Sequence, residues 1–172
     1  MAPKLTHPLT LLALLVCGVP ASAAAQSAAD SLAIMRAVGD TLRSRQVRVV
    51  SPRFICHDGM PPCRGPAGAA EIQPDPLVAE LARAAGAHLV PEIRASIPPC
   101  PWGLDPLPED AGYFISILPP RIDNDTARVL VVFTCDNPPG YLHDIFERDE
   151  QLLLQRKGAA WRVTSVHMTR IT

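Results

Sequence analysis

The sequence predicts an α+β domain: an antiparallel sheet in the last third of the chain, covered on one face by two helices. Three observations carry this. From Tyr113 to Ile171, four strand-like runs are separated by short turn-rich breaks, which makes neighbouring strands antiparallel. Leu32, Met35, Val38 and Leu42 recur at helical spacing. Asp75-Pro76 and Gly86 bracket a second apolar helical run with a start and a stop signal. At 172 residues the chain is one domain's worth and can bury a core unaided.

The first 25 residues have the form of a secretory signal: Lys4, an apolar stretch Leu9–Val16, and the small residues Ala23-Ala-Ala25 before the cut. The expected mature domain is 26–172, exported, either periplasmic or secreted. The apolar stretch is too short to span a bilayer, and the rest of the chain has no long apolar run, so no stable membrane insertion is expected. Cys17 follows Val16, where lipoprotein processing takes a small residue, so no lipid anchor is expected. Loss of Lys4 moves the formal charge from -1 to about -2. Near-neutral charge, with arginines scattered and no basic block, argues against a nucleic-acid partner.

Ser27-Ala-Ala-Asp30 matches a capping box, and the helix it opens should run to about Ser44. Val47–Val50 is a short strand ended by Ser51-Pro52. Residues 51–108 form an insert rich in proline and cysteine. Inside it, the helix after Asp75-Pro76 turns Leu77, Val78, Leu81 and Ala85 to one side, and His88–Val90 adds an edge strand. Ile97 to Pro108 is too proline-rich for a helix or a central strand and needs a staple to be ordered.

The sheet follows. Tyr113–Leu118 is β-branched and aromatic, and Pro119-Pro120 interrupts it. Asp123-Asn-Asp125 supplies a turn. Arg128–Cys135 is apolar on both faces, as a central strand is. After Asp136–Gly140, His143–Lys157 makes one long strand with Leu152 and Leu154 on one face and Leu153 on the other. Glu147–Glu150 reads as a solvated strand segment or bulge. Gly158 turns the chain into Trp161–Ile171, where a two-residue period puts Trp161, Val163, Ser165, His167 and Thr169 on one face.

Four cysteines remain after the leader, and in an exported chain they most simply form two disulfides. Three connectivities are possible. The favoured one is Cys56 with Cys63 and Cys100 with Cys135, the second tying the proline-rich loop to a core strand. Closing about 36 residues is worth roughly 4 kcal/mol in the chain-entropy model, against about 2.5 for the small loop. A metal site on Cys56, His57 and Cys63 is the rival, but its spacing fits no paired-cysteine zinc knuckle. No metal and no cofactor is expected: the chain has no Gly-rich phosphate loop, nucleophile elbow or His-Glu-x-x-His run.

The closing run from Leu152 to Thr169, with Trp161, Val163, His167 and Thr169 in that spacing, resembles the last hairpin of NTF2-like, SnoaL-like proteins. The resemblance covers roughly the last 60 residues and, loosely, the first helix. It implies a cone, a curved antiparallel sheet of four to six strands with helices on its concave face and a pocket between them. Trp161, Val163 and His167 would then line that pocket, with His167 buried. The expected function is a non-catalytic ligand-binding or interaction module with a small apolar ligand. The alternative is a SnoaL-like isomerase, cyclase or hydrolase using His167 as acid/base. A homodimer through the outer sheet face is also expected, because the Arg128–Cys135 and Gln151–Gln155 segments are apolar on both sides.

Overall fold

Asp75 and Gly86 do what their residue types allow. Asp75 accepts a hydrogen bond from the Leu77 N–H at 2.8 Å and Pro76 opens the helix α2, Pro76–Ala85. Gly86 closes it at φ 71°, a left-handed angle that costs glycine nothing. In this computed structural model, residues 21–52, 75–90 and 97–172 are described. The Cys56–Cys63 pair, His57 and the leader up to residue 20 lie outside them.

The first helix, α1, spans Ala21–Leu42 and tightens into a 3-10 turn at Arg43–Arg45. It therefore begins before the expected capping box, and Ser27 caps nothing: its carbonyl accepts from the Ser31 hydroxyl one turn on. Asp30 turns to the sheet instead. Ile34, Met35, Val38 and Leu42 are fully buried, while Leu32 is exposed. The two helices cross closely at Gly39, where a Cβ would lie 2.6 Å from both the Ala84 Cβ and the Leu81 carbonyl oxygen.

Among the described residues seven strands form one sheet: β1 Val47–Val50, β2 His88–Leu89, β3 Tyr113–Ile117, β4 Arg121–Asp123, β5 Thr126–Asp136, β6 Ile145–Lys157 and β7 Ala160–Ile171. The order is β2-β1-β3-β5-β6-β7, with β4 folded onto β5. From β3 onward every pairing is antiparallel. At the other edge β1 runs parallel to both β2 and β3, which departs from the all-antiparallel expectation. The connection from β1 to β2 contains α2, and such a crossover returns the chain in the same direction. The proline interruption at 119–120 does not end the sheet either, since β4 resumes it before the Asn124-Asp125 turn.

The fold is α+β, a curved sheet with helices packed on its concave face. One core joins α1 and α2 to Val50, Ile115, Ile117, Val129, Val131, Phe133, Leu152, Leu154 and Trp161. Three register shifts break the ladders, one in the β1–β3 pairing and two between β6 and β7. Such bulges bend a strand and add twist. In β7 the extra residues are Thr164 and Thr169, and each returns its hydroxyl to a β6 carbonyl, of Leu153 and Asp149, at 3.2 Å.

The staple is present. Cys100 and Cys135 are bonded, 35 residues apart in sequence and both fully buried. Around it, Cys100 N–H donates to the Asp136 carbonyl and Asp136 N–H to that of Pro98, so the proline-rich segment is pinned beside the end of β5.

Candidate functional site

Alternation along β6 decides what the concave face holds. Leu152 and Leu154 point to the helices, so Phe146, Arg148, Glu150 and Arg156 do too. Glu147 and Asp149 face the other way, where Arg170 binds both carboxylates and has its pKa raised, chiefly by the hydrogen bond to Asp149. The stretch expected to be solvated is therefore split between two faces, and Glu150 is buried, 5% exposed.

Glu150 lies between two guanidinium groups. Arg45, at the end of the 3-10 turn, hydrogen-bonds to one carboxylate oxygen, and Arg148 Nε lies 3.1 Å from the other. A lone buried carboxylate would be very costly, and two cations offset that. Arg148 also lies over two rings, 4.7 Å from the Phe133 centroid and 5.4 Å from that of Tyr113. Its Nε–H is buried and has no hydrogen-bond partner among the described residues. Burial raises the pKa of the Tyr113 phenol, and the charge of Arg148 opposes that rise.

The aromatic stack continues outward. Tyr113 meets Phe133 edge-on at 5.4 Å, Trp102 leans on Tyr113 at 5.9 Å, and Trp102 meets Phe146 edge-on at 4.9 Å. Beyond Trp102 opens a recess of about 340 Å³ lined by Trp102, Tyr141, Leu142, Phe146 and Ile171, with Asn137 and His143 among its polar groups. That volume suits a small ligand. The Asn137 side-chain amide donates to the His143 carbonyl, and its N–H donates to the Asp144 carbonyl. This clamp presents Leu142 at the loop tip, 98% exposed. On the same face of β7, Met168 pairs with Glu150 and Ile171 with Arg148, and both are more than half exposed.

The expected trio of pocket residues separates. Trp161 is core, 5% exposed, with its indole N–H donating to Asp30 at 3.2 Å. Arg156 also hydrogen-bonds to Asp30 and lies over the Trp161 ring, 4.9 Å from its centroid. Burial alone would raise the Asp30 carboxyl, but the bonds from Trp161 and Arg156 prevail and hold it below the usual carboxylate range. Val163 is half-buried beside the same core. His167 stands on the opposite face: it pairs with Gln151, is exposed, and contacts the Ser165 hydroxyl at 3.1 Å. The bulge at Thr164 corrects the expectation, because one extra residue flips the side chains that follow it, until the second bulge at Thr169 returns Ile171 to the helix-facing side. His143 and Asp144, adjacent in the loop, are both exposed.

Among the described residues no group of three or more His, Cys, Asp or Glu could hold a metal ion, and no helix is long and apolar enough to cross a membrane. The geometry defines an α+β chain whose concave face is closed by core at one end and open at the other. Comparison with known proteins finds no matching family model, no matching curated protein and no matching solved structure.

Proposed function

We propose that this chain is an exported, NTF2-like ligand-binding module whose apolar ligand enters the recess beside Trp102. The single observation that carries the reading is the stretch of unpaired apolar surface at the open end of the concave face: Leu142, Met168 and Ile171 are exposed there next to a cavity walled by Trp102 and Phe146. Exposed apolar patches rimmed by polar groups mark binding sites. The buried disulfide and the leader-like N-terminus support export. His167 is not given the acid/base role, since it lies on the exposed face, away from the recess.

The test is titration with a neutral solvatochromic dye. One molecule should bind per chain, and Trp102→Ala or Leu142→Ser should weaken it about tenfold, a loss of about 1.4 kcal/mol. Binding untouched by both substitutions would refute the site.

A further inference from the structure

We propose that the ligand is an amphipathic carboxylate, its head held by Arg45 and Arg148 and its apolar body laid over Met168 and Ile171 toward Trp102. The inference rests on the ligand-binding reading above and names the chemistry of that ligand. Its first ground is charge. Arg45 and Arg148 share the one carboxylate of Glu150, so among the described residues the cluster keeps one uncompensated positive charge. Arg156 and Asp30 form a separate pair around Trp161, and the Arg170, Glu147 and Asp149 group faces the other side of the sheet. Neither supplies the missing anion.

Access is the second ground. Glu150 is closed off, but the Arg148 side chain remains 20% exposed and that of Arg45 33%. The cations therefore reach solvent while the anion beneath them does not. Continuity is the third. Strand pairing sets Met168 beside Glu150 and Ile171 beside Arg148 on the helix-facing side, and Ile171 also lines the recess. Because Thr169 is bulged, Met168 and Ile171 sit opposite Glu150 and Arg148, so the strand advances about 7 Å between them. A ligand with one anionic end and an apolar body of that length meets a cation, then apolar surface, then aromatic rings. A neutral hydrocarbon would leave the cationic excess unanswered. An amine would be repelled by it.

The rigidity of Arg148 favours a planar head. Two rings hold its guanidinium, so little side-chain freedom is lost on binding a carboxylate, which matches the planar fork of an arginine.

Calorimetry at pH 7.5 with decanoate, 1-decanol and decylammonium tests this directly. Decanoate should bind at least about tenfold tighter than decanol, as expected for a charge-assisted hydrogen bond. Decylammonium should bind weakest. Arg148→Met and Arg45→Met should bring decanoate down to the decanol level and leave decanol unchanged. Arg148→Lys keeps the charge and should keep most of the preference, which guards against misreading a variant that folds poorly. Glu150→Gln, which removes the competing carboxylate, should strengthen decanoate alone. His167→Ala, on the opposite face of the sheet, should leave the preference intact. Equal binding of decanoate and decanol by the unaltered protein would overturn the carboxylate proposal while sparing the apolar recess. So would a preference that survives both methionine substitutions. Failure of all three probes to bind would overturn the recess reading as well.

Discussion

His167 and Glu80 show how little a residue's type says about its role until its neighbours are placed. His167 is exposed and touches one serine hydroxyl, so His167→Ala should change stability by no more than about 0.5 kcal/mol. A thermal melt showing a loss of 2 kcal/mol or more would mean that the face assignment is wrong. Glu80 on α2 receives Arg83 and Arg36, and their hydrogen bonds lower its carboxyl from 4.5 to about 2 against the opposing effect of burial. A lowered folded-state pKa means stability that is present above the unfolded value and lost as pH falls through the folded one. The melting-temperature advantage over Glu80→Gln should accordingly be full above about pH 4.5 and shrink toward zero near pH 2. Because both arginines are more than half exposed, the advantage should also shrink in high salt. An advantage independent of pH would contradict this account.

Among the elements, the helix pair and the last strand teach opposite lessons. α2 was legible to the residue, since an N-terminal Asp-Pro and a terminal glycine leave few alternatives. Its crossing with α1 was not legible, because the contact at Gly39 depends on a residue 45 positions away. Gly39→Ala should overpack that contact and cost about 1–3 kcal/mol, read from denaturant unfolding; a neutral result would mean that the helices can separate freely. In β7 the two-residue period is correct up to Val163, inverted between the bulges at Thr164 and Thr169, and restored at Ile171. A bulge leaves no mark in a run of β-branched and polar residues, so Ser165 and His167 could not be placed from sequence. Glu150 and Arg148 could have been. They share parity with Leu152 and Leu154 in an unbroken strand, and that alone put them on the helix side. What remained hidden was Arg45, which joins them from a turn 105 residues away.

At the scale of the whole molecule, local pattern fixed the helices and most strands, whereas closure of the concave face depended on long-range contacts. The Cys100–Cys135 bond is one of these. Replacing both cysteines with alanine should lower stability by about 4 kcal/mol on the chain-entropy account, measured by urea unfolding; a loss below about 1 kcal/mol would mean that the Pro98–Asp136 hydrogen bonds hold the segment alone. The outer face keeps Leu130, Val132 and Leu153 half-buried in a single chain, and we propose that a second copy covers them. Sedimentation at tens of micromolar should then show a dimer, and a monomer there would refute it. The most direct measurement of the central claim uses the two tryptophans, which lie at opposite ends of the concave face. In a proton–nitrogen NMR titration with 1-decanol, the Trp102 indole N–H should shift progressively, whereas that of Trp161, bonded to Asp30 in the core, should stay in place. A Trp102 signal that stays in place, or shifts confined to Ser165 and His167 on the other face, would contradict a ligand site at the open end of the sheet.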